Sequence, residues 1–173
     1  MRKIIAIFCI VCALLLISAD IAFENMPAPQ NASFSPIYST YPFFEPVKAK
    51  SVSSPFGYRF HPISEEFDFH YGIDLTADAK APIYAVIGGV VRVSKTDKSY
   101  GNYIIIDHYN GFSTLYAHCS KLLAKEGDIV LRGEKIALVG KTGEATGNHL
   151  HFEVRINGIK YDPDFVLNLR EGF

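Results

Sequence analysis

From residue 51 onward the chain never sustains a helical stripe. Short runs rich in Val, Ile, Tyr and Phe are cut every few residues by Gly, Asn or Pro. Runs of that length between turn residues read as strands. Residues 103–108 and 112–118 flank Asn110-Gly111. Asn-Gly between two apolar runs is a strong hairpin signal, because both residues accept the positive φ of a type I′ turn. Residues 83–93 read as one strand with a bend or bulge at Gly88-Gly89. Gly127-Asp128, Gly133, Gly140 and Gly143 punctuate further short strands. The expected fold class is all-β, a compact antiparallel sheet closing into a barrel or sandwich.

The first 50 residues follow different rules. Arg2 and Lys3 precede a wholly apolar run over residues 4–17, and Ser18, Ala19 and Ala22 supply small residues behind it. Residues 1–22 therefore read as a secretory signal peptide, with an N-terminal membrane anchor as the alternative. The run is short of the ~20 apolar residues that a spanning helix needs. Residues 23–50 form a Pro-rich linker or arm, since Pro27, Pro29, Pro36, Pro42 and Pro46 break any helix or central strand. Its aromatics, Phe34, Tyr38, Tyr41, Phe43 and Phe44, suggest that part of it packs on the domain formed by residues 51–173. The arm could also cover a groove on that domain.

Export agrees with the cysteines. Cys9 and Cys12 lie inside the apolar run, which leaves Cys119 alone in the mature chain. A single thiol cannot form an internal disulfide, and a small buried side chain is the expected role. Seventeen Lys and Arg against 18 Asp and Glu give a net charge of -1, with no basic run. No nucleic acid partner is expected, because phosphate binding needs a basic stripe. Nothing in the chain bears on oligomeric state, so a monomer is the default expectation.

The chemistry gathers in the histidines. His149-Leu150-His151-Phe152-Glu153-Val154 alternates apolar and polar. In a strand, residues two apart share a face, so Leu150, Phe152 and Val154 should enter the core. His149, His151 and Glu153 should then face away from it. Glu153 could orient a ligand histidine, or could be a plain solvent-facing carboxylate. The second grouping, His70-Tyr71-Gly72-Ile73-Asp74, is weak alone. Its Gly72 and β surroundings argue for a loop leading into a strand rather than a helix.

A catalytic zinc wants three protein ligands and an open position. His70, Asp74 and His151 supply two neutral nitrogens and one carboxylate oxygen, a set suited to one Zn²⁺ per chain. His149 shares the face of His151, and only one of the two need touch the metal. His118 ends the strand after the Asn-Gly turn, on the face shared by Thr114 and Tyr116. It reads either as a general base beside the metal or as a structural strand-end histidine. His61, before Pro62, and His108, at a hairpin end, read as exposed or structural, and Tyr116 as packing.

Four separated segments resemble the lysostaphin-type, or LytM-like, zinc metallopeptidases. They are Ser54-Pro55-Phe56-Gly57-Tyr58-Arg59-Phe60-His61-Pro62, His70-Tyr71-Gly72-Ile73-Asp74-Leu75, Leu115-Tyr116-Ala117-His118, and Thr146-Gly147-Asn148-His149-Leu150-His151-Phe152-Glu153. The resemblance implies a β-rich groove bordered by loops, with His70, Asp74 and His151 binding zinc. It assigns the third ligand to His151 and implies His118 and His149 as the catalytic histidines. It also implies an endopeptidase acting on bacterial peptidoglycan peptides. With residues 1–22 read as signal peptide or anchor, the expected location is the periplasm or the extracellular side, free or tethered through the N-terminus. Tyr71 and Cys119 depart from the residues common at those places in the family.

Overall fold

The structure is a computed structural model in which residues 28–35, 43–60 and 67–167 are described. The signal or anchor expected over residues 1–22 lies outside them, as do Tyr38, Tyr41 and His61.

The described chain is strand after strand: β1 (Ala32–Ser33), β2 (Ser51–Ser54), β3 (Gly57–Phe60), β4 (Phe67–His70), β5 (Ile73–Thr76), β6 (Pro82–Tyr84), β7 (Gly89–Asp97) and β8 (Gly101–Asp107). There follow β9 (Phe112–Cys119), β10 (Lys121–Leu122), β11 (Ile129–Val130), β12 (Lys135–Leu138), β13 (His149–Ile156), β14 (Ile159–Tyr161) and one helical turn, α1 (Asp164–Leu167). The all-β expectation holds. The main sheet runs β1-β14-β13-β9-β8-β7-β11, with β5 joined to β13 and β2 to β5. Its pairings are antiparallel except β1 with β14, which is parallel and makes the sheet mixed. Small sheets β10-β12-β6 and β3-β4 complete the fold.

The Asn-Gly hairpin forms as read. Asn110 and Gly111 have φ of 55° and 74°, and the Phe112 amide donates to the Tyr109 carbonyl across the turn. The single strand expected over 83–93 does not form. Residues 82–84 belong to β6 in the small sheet and 89–97 to β7 in the main one. The glycine pair marks the crossing between sheets, and at Gly89 a Cβ would lie 2.3 Å from the Asp107 carbonyl oxygen. The bulge falls further on, between Val91 and Val93.

Leu150, Phe152 and Val154 are fully buried, as alternation demands, in a core shared with Ile73, Leu75, Ile104, Ile106 and Tyr116. Each such aliphatic or aromatic side chain contributes about 1.5–3 kcal/mol on leaving water. Tyr116 is packing, its hydroxyl accepting from the Val86 amide. His108 is structural, bonded to the Gly88 carbonyl and Thr114 Oγ1. Cys119 is a buried free thiol, and burial pushes its pKa up to about 12. Val47 joins the main core. Phe34 packs edge-on against Phe56 and Phe44 edge-on against Tyr84, while Phe43 lies tilted against Phe112.

Central to everything is β13. Along one edge it pairs with β9 over six positions. Along the other it pairs first with β5 and then with β14. Residues 151 and 152 are therefore flanked on both sides, by β5 and by β9.

Candidate metal centre

Strand register assembles the site. Asp74 of β5 is the direct partner of His151 in β13, so both side chains rise from the same face. His70 ends β4, and the two-residue link Tyr71-Gly72 returns the chain into β5. His70 Nε2 lies 3.0 Å from His151 Nδ1 and 3.2 Å from Asp74 Oδ1. His151 Nδ1 lies 2.8 Å from Asp74 Oδ1. All three residues are buried. They are the one group of His, Cys, Asp and Glu among the described residues placed to hold a metal ion.

The outer atoms of these side chains are committed elsewhere. His70 Nδ1 lies 2.8 Å from the Pro55 carbonyl, which can only accept, so the proton is on Nδ1 and Nε2 is bare. His151 Nε2 faces Glu153 Oε1 at 3.2 Å, which leaves Nδ1 bare when the ring is neutral. Arg59 donates to Asp74 Oδ2 at 3.4 Å and to Ser54 Oγ at 2.7 Å. Three lone-pair atoms thus converge with no donor of their own among them. Two neutral imidazole nitrogens and a carboxylate oxygen fit a divalent cation, and the N₂O set suits one zinc.

The electrostatics agree. Burial alone would raise the Asp74 pKa, but hydrogen bonds to His151 and His70 hold it well below the usual carboxylate range. His70 is lowered, chiefly by burial. Burial also acts to lower His151, yet Asp74 and Glu153 outweigh it and lift its pKa to about 9. Without a cation, the converging acceptors favour a proton on His151.

His118 and His149 stand beside this cluster, their rings 4.8 Å apart. His118 is also 5.7 Å from the His151 ring. The expected face for His118, shared with Thr114 and Tyr116, is wrong. Those two point into the core, whereas His118 lines the groove. Its backbone takes the left-handed conformation, φ 60°, which breaks the alternation and turns the ring out beside His151. Such a conformation in a non-glycine residue carries strain of order 1–3 kcal/mol and gathers at functional sites. His118 Nδ1 donates to the Thr142 carbonyl at 2.9 Å, and His149 Nδ1 to that of Gly147 at 3.0 Å. In the neutral His118 ring Nε2 keeps its lone pair. Burial and the neighbouring His151 lower the His118 pKa to about 4, so the ring is neutral at pH 7.

Glu153 is not the solvent-facing carboxylate that alternation allows. It shares the face of His151 but is 1% exposed. Burial alone would raise its pKa, but His151, Arg155 and Lys160 bring it down to about 2. Arg59, Tyr100 and Glu144 also line the groove. Arg59 lies within the 54–62 segment read from sequence, which assigns it no role; Tyr100 and Glu144 lie outside every such segment, since no periodicity connects them to the histidines. No described residue of 28–35 or 43–50 lines it.

Comparison with known proteins places these features in a wider set. The sequence profile of peptidase family M23 matches residues 68–163. The DD-carboxypeptidase/endopeptidase Mpg of Neisseria meningitidis serogroup B is 46% identical over 119 residues, 69% of this chain and 27% of Mpg. The peptidoglycan DD-endopeptidase ShyC of Vibrio cholerae is 40% identical over 122 residues, 70% of this chain and 28% of ShyC. The chain thus spans about a quarter of the length of these curated relatives. Among solved structures, a zinc-containing peptidase from Vibrio cholerae superposes with a TM-score of 0.63 at 38% identity. That match covers 70% of this chain and 37% of the other.

Proposed function

The chain belongs to peptidase family M23, and from that membership we propose that it is a zinc-dependent endopeptidase hydrolysing peptide bonds in the stems or cross-links of bacterial peptidoglycan. One observation carries the reading: His70 Nε2, Asp74 Oδ1 and His151 Nδ1 converge within 3.2 Å of one another, with the His118 and His149 rings beside them. The name of the relative ShyC, a peptidoglycan DD-endopeptidase, supports the substrate class.

In this reading His70, Asp74 and His151 hold the zinc, which when bound supplies Lewis acidity to activate a water and polarise a carbonyl. His118, with Nδ1 fixed on the Thr142 carbonyl, presents Nε2 to take the proton of the attacking water. The His118 Nε2–H so formed then donates to the oxyanion and passes the proton to the leaving amine, and His149, with Nδ1 fixed on the Gly147 carbonyl, faces the same groove as its partner. Arg59 and the pocket walls exclude bulk water and hold Asp74 in place. The site of action is the cell envelope, reached through residues 1–22 acting as signal peptide or membrane anchor. Among the described residues no helix is long and apolar enough to cross a membrane.

The test is zinc content together with turnover of purified cross-linked peptidoglycan, the products read by mass spectrometry. Stoichiometric zinc and new amine termini in the muropeptides are expected. A folded, zinc-loaded protein that leaves every muropeptide intact would overturn the activity.

A further inference from the structure

Four histidines of the described chain face the groove, and each has one ring nitrogen tied down. For three of them the anchor is a backbone carbonyl on Nδ1: Pro55 for His70, Thr142 for His118 and Gly147 for His149. A carbonyl only accepts, so it fixes the tautomer unaided. His151 is the exception. It is held through Nε2, and by a side chain, with Glu153 Oε1 at 3.2 Å.

A carboxylate can hold a ring only if it is itself held. Glu153 Oε1 also accepts the Tyr100 hydroxyl at 2.6 Å. Oε2 accepts from Arg155 Nε at 2.8 Å and Nη2 at 2.6 Å, with Lys160 Nζ at 4.0 Å. His151, Glu153 and Arg155 are alternate residues of β13, so they stand side by side on one face. Tyr100 arrives from the β7–β8 turn, where Asp97 Oδ1 accepts its backbone amide at 2.7 Å. Its ring lies 5.8 Å from that of His151.

We propose that Glu153, clamped by Tyr100 and Arg155, is a positioning residue that fixes the His151 ring with Nδ1 toward the metal. The inference rests on the reading of His70, Asp74 and His151 as ligands. A ligand histidine whose outer nitrogen loses its acceptor can rotate and changes tautomer freely, and losses of about 10–100-fold in metal affinity follow. Tyr100 is the informative member. It contributes one hydroxyl to the clamp and touches none of the three ligand atoms.

The test measures zinc dissociation constants of the full chain by competition with a chromophoric chelator, with circular dichroism to verify folding. Asp74→Ala examines the underlying reading: if it binds zinc as wild type does, the ligand set is wrong and the clamp falls with it. With zinc binding lost in Asp74→Ala, Glu153→Gln is expected to weaken affinity about 10–100-fold, and Tyr100→Phe at least about threefold. The visible band of the cobalt-substituted Tyr100→Phe protein should shift as well, which a merely structural tyrosine would not cause. If Glu153→Gln fails to fold because Arg155 is left unpaired, Tyr100→Phe decides alone. A folded Tyr100→Phe protein with zinc affinity within about twofold of wild type and an unshifted band overturns the clamp while leaving the ligand reading intact.

Discussion

Gly72 and His151 compete for one small volume. A Cβ built on Gly72 would lie 2.7 Å from His151 Cε1 and 2.6 Å from the Phe152 carbonyl oxygen. The glycine between His70 and Asp74 therefore serves a residue far away in sequence. A side chain here would collide with the His151 ring and the Phe152 carbonyl.

Gly72→Ala should accordingly harm the metal site beyond its cost to folding. Overpacking of this kind costs about 1–3 kcal/mol, and the displaced ring should weaken zinc binding about tenfold or more. Thermal unfolding and chelator competition on the same samples check both. Unchanged zinc affinity would show that the ring has room to retreat.

His118→Ala should separate binding from chemistry. Zinc content stays at wild-type level, because His118 touches none of the three ligand atoms, while kcat for muropeptide cleavage falls about 10²–10⁴-fold. Steady-state kinetics with zinc analysis decide it. Loss of zinc in this variant would mean that His118 belongs to the coordination set.

Metal removal should lower stability as well as activity. The proposed zinc ligands His70, Asp74 and His151 are drawn from β4, β5 and β13, so the native state alone would present the complete set. At free zinc a hundredfold above its dissociation constant, binding adds about 2.7 kcal/mol to unfolding free energy. Calorimetry with and without a chelator should show Tm falling and then recovering as zinc is restored.

His108 offers a pH signature away from the metal. Burial pulls its pKa below the ordinary 6.5, against the pull of the Gly88 carbonyl and Asp107. The folded chain then resists a proton that the unfolded chain accepts below that value. The stability contributed at neutral pH is lost as pH falls through and below 6.5. Urea unfolding of wild type and His108→Gln, from pH 7.5 to 5, should show a shallower decline in the variant. Parallel curves would exclude His108 as the source.

Phe152→Ala should cost about 3–5 kcal/mol. Phe152 is fully buried, its ring is 5.3 Å from that of Tyr116, and it lies between His151 and Glu153 in the chain. Denaturant unfolding measures the loss.

Much of this was legible in the sequence, and the gaps have physical causes. Period-2 alternation placed Leu150, Phe152 and Val154 inside and put His149, His151 and Glu153 together. Turn chemistry placed the Asn110-Gly111 hairpin. Alternation failed at His118, because one left-handed residue inverts the face and no residue type announces it. It was also silent on depth: it gave Glu153 a side of the strand, not its burial beneath Tyr100 and Arg155. The crossing at Gly88-Gly89 looked like a bend within one strand, since the close approach to Asp107 that requires glycine is long-range. Tyr100 reaches the groove through folding alone.

The pairing of His151 with Asp74 across β13 and β5 makes the site a check on assembly. A slip of one residue between these strands would set Leu150 or Phe152 opposite Asp74 and turn the imidazoles toward the core. A misregistered chain would not gather the three donor atoms of the proposed site, so in that reading zinc would be held by correctly zipped molecules alone.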